Sequence, residues 1–462
     1  MSSFRNSNRF FIISLFGMML LTVGVFAQQT APSAAAEAKP AEAALITPDI
    51  IEHPEVKQID AEGAGKLYSV GEHLVCVMEG TPEEMGFQHG RLLAQKIKHV
   101  ITEGYFKKAL WDRGYTPEYV NAQSARMEKF IPAAYMEEIK GIVKGLKKAG
   151  VMDVTQDAVR NGVTQAEILH FDPNSPPACS NFACWGQWTT DGRLLHGRNL
   201  DWSIDWSAQD DAVILVWRPK GGTPFMMVGW AGGIGSVSGM NAHGLTLGEM
   251  TCVSSDATFD GIPLCVLMRR VLQEAKNLDE AVNIIRTGPR TTGWNFILGD
   301  GNAGDGRALE VDAKACEVFG SMDPKENEET GHWSIPDAVR RTNHPISATQ
   351  LLKLAQSMGP KMGLNITTME QLKAAIFILK IQNTWQRYDW LGKQIQAKPH
   401  GMDVKEALQL LANGPVFNDD TLHSWVFDPK NKTAYVAVAG INPLLTATRC
   451  AFTKIDLSPW FN

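Results

Sequence analysis

Several sequence patterns that mark common enzyme classes are absent from this chain. It contains no Gly-x-Ser-x-Gly nucleophile elbow, no Gly-rich phosphate loop ending in Lys-Ser or Lys-Thr, and no His-Glu-x-x-His pair. These absences argue against an α/β-hydrolase of the usual kind, a P-loop nucleotidase and a zinc protease. Residues 299–304 match the dinucleotide pattern Gly-x-Gly-x-x-Gly, but residues 305–311 have the pattern of a returning strand, so we interpret the match as a hairpin turn.

Cysteine is scarce, with seven residues in a chain of 462. This density is too low for a disulfide scaffold. No spacing fits a zinc site, because Cys179 and Cys184 lie five positions apart and no paired histidines follow them. We therefore expect no metal and no cofactor, and an odd cysteine count leaves at least one thiol unpaired or paired between chains.

Positively charged residues are fewer than negatively charged ones. The chain has 44 Lys and Arg against 50 Asp and Glu, a formal net charge of −6, and no dense basic run. There is thus no electrostatic reason to expect binding to nucleic acid or to an anionic membrane surface. The remaining composition, 44% hydrophobic and 20% charged, is that of an ordinary globular protein.

A long apolar run occurs at the N-terminus. Arg5 and Arg9 precede the uncharged stretch 10–26, and a small-residue cleavage signal follows it directly. A membrane-spanning helix needs about 20 apolar residues, slightly more than this run offers. We therefore predict a cleaved signal peptide over 1–27, no stable membrane anchor, and export to the periplasm or the medium. The Ala- and Pro-rich start of residues 28–55 predicts a disordered linker.

Residues 56–178 are predicted to form a strand followed by helices. The sequence Thr81-Pro-Glu-Glu84 is typical of a helix N-terminus with a capping box. Gly86 and Gly90 lie four apart on that helix, so one face is open to close approach by a neighbour. The segment carries no obvious chemistry, and we interpret it as a scaffold or pro-segment.

From Cys179 onward, short strands joined by turns alternate with helices. The predicted strands are 182–188, 193–200, 212–217, 225–230, 245–250, 295–299, 308–311, 424–427 and 434–438. The predicted helices are 262–275, 278–287, 347–358, 367–380 and 403–413. Antiparallel runs with helices between them favour an α+β layered fold over a doubly wound parallel sheet.

A polar cluster falls on two predicted strands that the Asp191-Gly192 turn joins. Cys179 precedes the first strand, and Arg198 and Asp201 lie on the second, where a core strand would be apolar. Taken alone, Cys179 would be a structural cysteine, in a disulfide or buried as a thiol. The arginine and aspartate opposite it instead indicate a thiol nucleophile with charged partners on the neighbouring strand.

These residues resemble two related enzyme families. Cys179-Ser180, the Asp191-Gly192 turn and Gly197–Trp202 are similar to the start of the mature chain in choloylglycine hydrolases. They are also similar to the corresponding region of the isopenicillin-N acyltransferase (acyl-coenzyme A:6-aminopenicillanic-acid acyltransferase) family. Both families belong to the N-terminal-nucleophile (Ntn) hydrolases.

The similarity recurs elsewhere in the chain, over roughly residues 66–440. Downstream it includes Gly239–Leu245, Thr342–Pro345 and Gln386–Tyr388. Upstream, residues 80–90 resemble the pro-segment of the acyltransferase branch, which carries about a hundred residues before its cysteine, as this chain does.

The resemblance implies a four-layer αββα Ntn-hydrolase sandwich of two antiparallel sheets, preceded by a helical N-terminal pro-segment. It implies a precursor that cuts itself between Ala178 and Cys179, leaving a small chain, 56–178, and a catalytic region, 179–462. The apolar helical faces of the small chain suggest that it remains bound. Ala178 is a departure from the acyltransferases, which have glycine before the nucleophile.

The resemblance also implies catalytic roles by position. The nucleophile, its two charged partners, an oxyanion donor and a site arginine correspond to Cys179, Arg198, Asp201, Asn343 and Arg387. A family asparagine aligns with Thr251, so the oxyanion contact there would come from a backbone N–H. Of the tryptophans near the predicted site, one or two, such as Trp202, would line an apolar acyl pocket.

The chemistry of such a site follows from reference pKa values. A free N-terminal amine has a pKa of about 7.7–8.0, which suits a general base at neutral pH. Arg198 would favour the thiolate of Cys179, and Asp201 would hold the amine. After the thiolate attacks an acyl carbonyl, Asn343 would stabilise the oxyanion. Water or an acceptor amine would then resolve the thioester.

We therefore hypothesise an exported, self-processing cysteine hydrolase or acyltransferase that acts on a small linear acyl-amide. The same site could act on an ester, such as a phospholipid acyl chain, because thioester formation is common to both reactions. A non-enzymatic alternative is a secreted binding module with Cys179 in a disulfide.

Overall fold

The computed structural model describes residues 45–170, 178–327, 331–380, 382–398 and 400–461. The predicted signal peptide, 1–27, and the first part of the predicted linker lie outside the described residues. Residues 45–55, at the end of the predicted linker, are described and contact the rest of the fold. Ile50–Ile51 pairs in parallel with the strand near the C-terminus, and the backbone N–H of Ile46 donates to Asn413 Oδ1 at 2.8 Å.

The predicted strands lie where the sequence places them, and most extend one or more residues beyond the predicted limits. The strands of the described residues are β1 Ile50–Ile51, β2 Val56–Glu62, β3 Gly65–Val70, β4 His73–Gly80, β5 Ala178–Gly186, β6 Gly192–Asp201, β7 Ala212–Pro219, β8 Phe225–Trp230, β9 Ser238–Asn241, β10 Leu245–Thr251, β11 Trp294–Asp300, β12 Asp305–Val311, β13 Cys316–Phe319, β14 Ala338–Arg341, β15 Thr421–Asp428, β16 Thr433–Val438, β17 Gly440–Ile441, β18 Leu444–Leu445 and β19 Phe452–Asp456. As predicted, the match at 299–304 is the turn between the antiparallel strands β11 and β12.

The helices fall into an N-terminal group and a group within the catalytic region. They are α1 Pro82–Leu92, α2 Ala94–Thr102, α3 Tyr105–Ala109, α4 Pro117–Glu128, α5 Ala133–Lys148, α6 Gln156–His170, α7 Leu264–Glu274, α8 Leu278–Thr287, α9 Ala348–Met358, α10 Met369–Lys380, α11 Asn383–Gln396, α12 Val404–Ala412 and α13 Ser458–Phe461. The predicted capping box is present at the start of α1, where Thr81 and Glu84 exchange hydrogen bonds.

Two large sheets form the centre of the described chain. One has the strand order β1-β19-β16-β15-β6-β5-β14, and the other β13-β12-β11-β10-β9-β8-β7-β4-β3-β2. The expectation of purely antiparallel sheets is corrected by one parallel pair in each, β1 with β19 and β4 with β7. The chain between β4 and β7 includes six helices and the β5–β6 hairpin, which is long enough for the crossover that a parallel pair requires.

The two sheets pack face to face, with helices on both outer sides. A Cβ on Gly248 of β10 would contact the side chains of Asn181 and Arg198 in the opposite sheet. Helices α1, α7 and α8 cover the ten-stranded sheet, and α11 and α12 cover the seven-stranded one. The predicted four-layer α+β fold is therefore confirmed.

Helices α1 and α5 approach each other closely because both carry glycines on the shared face. A Cβ added to Gly86 or Gly90 would overlap backbone atoms of α5, and one added to Gly141 or Gly145 would overlap backbone atoms of α1. The predicted close approach at Gly86 and Gly90 is thus confirmed. The partner glycines on α5 show that both helices lack side chains at this contact.

The segment before Cys179 is built into the fold. Strands β2, β3 and β4 extend the ten-stranded sheet, with β4 paired to β7 of the catalytic region. On the outer side, Glu138 of α5 forms a buried ion pair with Arg269 of α7 at 2.6 Å. Residues 56–170 are therefore an integral part of the core and of one central sheet.

Candidate active site

Cys179 lies at the start of β5, in the hairpin that the sequence predicts. The register pairs Cys179 with Leu200 and Asn181 with Arg198 across β5 and β6. Side chains alternate along a strand, and the inward-facing ones of this hairpin point to the opposite sheet. Cys179 is 1% exposed as a residue, so its side chain lies inside the sandwich.

Arg198 is fully buried beside the thiol. Its Nη2 is 3.6 Å from Cys179 Sγ and 3.4 Å from Glu249 Oε2. Its Nε donates to the Glu249 carbonyl at 2.7 Å, and its Nη1 donates to Ser238 Oγ at 2.6 Å. Contacts with β9 and β10 therefore fix this guanidinium next to the sulfur.

Burial determines the protonation state of Cys179 in the uncut chain. It raises the thiol pKa to about 12, although the Arg198 charge lowers it. The nearby carboxylates of Glu249 and Asp201 raise it further. From the sequence we expected Arg198 to bring the thiol pKa toward neutrality. In the uncut chain, however, burial raises this pKa more than the Arg198 charge lowers it.

Asn343 connects the start of β5 to β10. Its Oδ1 accepts from the backbone N–H of Cys179 at 2.7 Å, and its Nδ2 donates to the Thr251 carbonyl at 2.8 Å. The sequence analysis placed Asn343 and Thr251 at the same site as Cys179, and in the structure Asn343 contacts both of the other residues. The oxyanion roles of Asn343 and of the Thr251 backbone N–H stay predictions.

Arg387 reaches the same place from α11, a helix that the sequence analysis did not predict. Its Nη1 donates to the Cys179 carbonyl and, at 3.1 Å, to Ser180 Oγ. Its Nη2 donates to Asn343 Oδ1 at 3.0 Å. The weakest of the sequence matches therefore lies in direct contact with the proposed nucleophile residue.

Asp201 lies opposite Ala178 in the β5–β6 register. Its Oδ1 accepts from Thr421 Oγ1 at 2.7 Å, and its Oδ2 is buried. Burial raises the pKa of this carboxyl to about 6, against the lowering effects of the Arg387 charge and of hydrogen bonds from the side chains of Thr421 and Asn418.

Glu249 is the main site residue that the sequence analysis missed. It is buried between Arg198 and Thr251, whose Oγ1 donates to its Oε1 at 3.3 Å. Burial raises its carboxyl pKa to about 7, opposed by the Arg198 charge. Its signal was present in the sequence, because Glu249 is a charged residue within the otherwise uncharged strand 245–251.

An apolar cavity of about 100 Å³ lies beside the hairpin. Leu200, Glu249 and Thr251 form the wall nearest the site, and Trp202 also lines the cavity. Most of the opposite wall comes from the segment before Cys179, with side chains of Val100, Ile101, Tyr105, Phe106, Val159 and Leu169. Trp202 is fixed by its indole N–H, which donates to Tyr105 Oη at 3.0 Å.

In the described residues, no three His, Cys, Asp or Glu side chains come together as metal ligands. No helix in the same residues is both long enough and apolar enough to cross a bilayer.

Residues 188–442 match the model of the acyl-coenzyme A:6-aminopenicillanic acid acyl-transferase family, which is more than half of the chain. The chain belongs to this family. The resemblance to Ntn hydrolases of the acyltransferase type, noted from the sequence, is confirmed.

Individual relatives are distant. An uncharacterized protein of Archaeoglobus fulgidus is 28% identical over 57% of this chain and 48% of its own length. Acid ceramidase of Bos taurus is 26% identical over 40% of this chain and 51% of its own length. The chain thus spans about half the length of these two curated relatives. A solved structure of the Caenorhabditis elegans N-acylethanolamine-hydrolyzing acid amidase ortholog covers 55% of this chain at 16% identity and a TM-score of 0.38.

Proposed function

We propose that this protein is an exported, self-processing cysteine hydrolase or acyltransferase that takes an acyl group from a small linear amide through a thioester on Cys179. The proposal rests on the side chains that surround the Ala178–Cys179 peptide bond. A thiol, two arginines and an asparagine converge on it, and the buried carboxyl of Asp201 lies opposite Ala178. A freed amino group on Cys179 would be a donor for that carboxyl.

Self-processing begins with attack of the Cys179 sulfur on the carbonyl carbon of Ala178. The thiol proton passes to the Cys179 nitrogen as the peptide bond breaks, and Ala178 becomes a thioester. Water then hydrolyses the thioester, releasing the Ala178 carboxylate and returning the thiol. The hydrogen bond from Cys179 N–H to Asn343 Oδ1 supports this step, because it fixes the nitrogen that must leave.

The new amino group remains in place after the cut. As an ammonium it can donate to Asn343 Oδ1 and to the buried carboxylate of Asp201. As a free amine it can take the proton of its own thiol, whose pKa is high in the uncut chain. Processing would thus provide the catalytic base and a charged partner for Asp201.

Acyl transfer then follows in two steps. The thiolate attacks the acyl carbonyl, and the N-terminal ammonium gives its proton to the leaving nitrogen. Asn343 Nδ2, on release from the Thr251 carbonyl, and the Thr251 backbone N–H are the proposed oxyanion donors. Water or an acceptor amine resolves the thioester and releases the acyl product.

The cavity beside the site is suited to an apolar acyl group. Its walls are mainly aromatic and aliphatic, and it lies between Trp202 and the helices before Cys179. The name acid ceramidase, carried by several relatives, denotes cleavage of an acyl amide, which supports an amide as the substrate of this chain. We infer from the shared sheet and shared cavity that residues 56–178 stay bound after processing.

N-terminal sequencing and intact mass of the purified protein test the proposal. We expect two chains, the second beginning at Cys179, and a single uncut chain for Cys179→Ala. Cys179→Ser should retain some processing and lose most turnover, because a hydroxyl can replace the thiol in the acyl shift but is a poorer nucleophile. Cys184→Ala, on the same strand, is the matched control and should be processed normally.

Activity is then assayed on N-acyl amino acids, penicillins, bile-salt conjugates and acyl esters. Release of the amine from one of the amides, absent in Cys179→Ala, would support the proposal. An uncut wild-type chain that iodoacetamide does not label at Cys179 would contradict it.

A further inference from the structure

The first turn of α11 brings three side chains to the site. Asn383 Oδ1 accepts from Arg387 Nε at 2.7 Å, which orients the guanidinium that contacts Cys179. Thr384 lies between them in sequence and contacts the backbone of Asn343. One helix terminus therefore orients both the site arginine and the segment that carries the site asparagine.

Thr384 and Thr342 hold the Asn343 segment against α11 through reciprocal contacts. The backbone N–H of Asn343 donates to Thr384 Oγ1 at 2.9 Å. Thr342 Oγ1 donates to the Thr384 carbonyl at 2.8 Å, and the two hydroxyl oxygens are 3.0 Å apart. Asn343 is thus anchored through its backbone at one end, while its carboxamide reaches Cys179 and Thr251 at the other.

A buried pair of histidines completes this network. His344 Nδ1 is 2.9 Å from Thr384 Oγ1, and its Nε2 is 3.0 Å from His332 Nε2. Burial lowers the pKa of both imidazoles well below the usual range, so both are neutral. With neutral rings, either Thr384 donates to His344 Nδ1 or His344 donates to Thr384. In both arrangements the Thr384 oxygen still accepts from Asn343.

We propose that Thr384 is a positioning residue for the reaction at Cys179. Its hydroxyl fixes the Asn343 backbone, so that Asn343 Oδ1 meets the Cys179 nitrogen and Nδ2 stays within reach of the oxyanion. Thr384 contacts neither the nucleophile nor the substrate in this role. The inference rests on the proposed function, and it adds a residue that belongs to none of the sequence motifs.

The test compares Thr384→Val with Thr384→Ser. Valine keeps the shape of threonine and removes the hydroxyl, while serine keeps the hydroxyl. We expect Thr384→Val to slow both the appearance of the chain beginning at Cys179 and kcat by about 10- to 100-fold, because small misplacement of a catalytic group costs up to about 100-fold. KM should change by less than about 3-fold, and Thr384→Ser should restore both rates to within about 3-fold of wild type.

Thr368→Val is the matched control. Thr368 Oγ1 accepts from Gln371 N at 3.3 Å at the start of α10, so this variant loses a similar helix-terminal hydrogen bond at a position with no contact to the site residues. Normal processing of Thr368→Val with slow processing of Thr384→Val supports the proposal. Circular dichroism and Tm establish that each variant is folded, and Thr384→Ala replaces Thr384→Val if the latter does not fold.

Two results would overturn the inference. Wild-type processing and kcat in Thr384→Val would show that the hydroxyl is dispensable. Equal losses in Thr384→Ser and Thr384→Val would show that the methyl packing matters and the hydrogen bond does not. Failure of the proposed function is a separate outcome, seen in the wild-type chain itself as absence of the cut at Cys179 and of thiol-dependent turnover.

Discussion

Glu138 and Arg269 form an ion pair across the boundary between the segment before Cys179 and the catalytic region. Their side chains are 0% and 1% exposed, and Oε2 lies 2.6 Å from Nη2. Glu138 Oε1 also accepts from the Trp217 indole N–H at 2.8 Å. After the proposed processing, α5 would belong to the small chain and α7 to the large chain. The ion pair would then join the two chains.

Glu138→Gln removes the negative charge and keeps most of the side-chain volume. Arg269 would keep its hydrogen bond to the Ile234 carbonyl and its position 4.1 Å over the Tyr135 ring, but its charge would be buried without a counter-ion. Loss of one partner of a buried pair costs about 3–5 kcal/mol. With an unfolding entropy of ~2.1 cal/mol/K per residue over about 420 residues, this corresponds to a fall in Tm of roughly 3–6 °C.

The assay is differential scanning calorimetry in a Cys179→Ala background, where we expect the chain to stay in one piece. The matched control is Glu274→Gln, which breaks the neighbouring Arg270–Glu274 pair, whose side chains are 27% and 40% exposed. An exposed i,i+4 pair contributes only about 0.3–0.5 kcal/mol, so its loss should lower Tm by less than about 1 °C.

A Tm for Glu138→Gln within about 1 °C of the Glu274→Gln value would refute this reasoning. It would mean that water or a local rearrangement compensates the Arg269 charge. The double variant Glu138→Leu/Arg269→Met should recover most of the lost Tm, because apolar replacement of a whole buried pair is often neutral or stabilising.

Two further predictions concern the same segment. Burial raises the pKa of Glu167 to about 7, so the folded chain binds its proton more tightly, and the free energy of unfolding should fall as pH rises from about 4.5 to about 7. Glu167→Gln should reduce that slope by up to ~1.4 kcal/mol per pH unit in urea titrations, and an unchanged slope would contradict the assignment. Gly86→Ala drives a methyl group into the Glu138 carbonyl and should cost about 1–3 kcal/mol or more. Gly162→Ala is the control, because its methyl group would lie 3.3 Å from the Phe106 ring and not against backbone, and it should lower Tm less than Gly86→Ala does.

Local patterns in the sequence predicted local structure well. The capping box at Thr81 depends on residues three positions apart, and strands such as 225–230 depend on a short apolar run bounded by turn residues. The hairpin that places Arg198 and Asp201 on the strand next to Cys179 also depends on one turn between neighbouring strands. These features were predictable because the interactions that form them join residues close in sequence.

Long-range contacts account for the parts of the site that were missed. Thr384 and Glu249 are separated from Cys179 by 205 and 70 positions, and no local pattern indicates that they meet. Helix α11 was not predicted, so Arg387 had only a weak motif match to support it. Asn343 was found through the family resemblance, and its hydrogen bond to Cys179 spans 164 positions.

The amino-acid sequence determined the nucleophile candidate, its two charged partners and the layered α+β class, because each depends on local periodicity, turn chemistry or a short motif. Tertiary structure alone decided that the segment before Cys179 is part of a central sheet and forms one wall of the cavity. It also decided that the thiol is too deeply buried to ionise in the uncut chain. Burial and charge pairing depend on residues far apart in sequence, so they exist only once the two sheets have packed together.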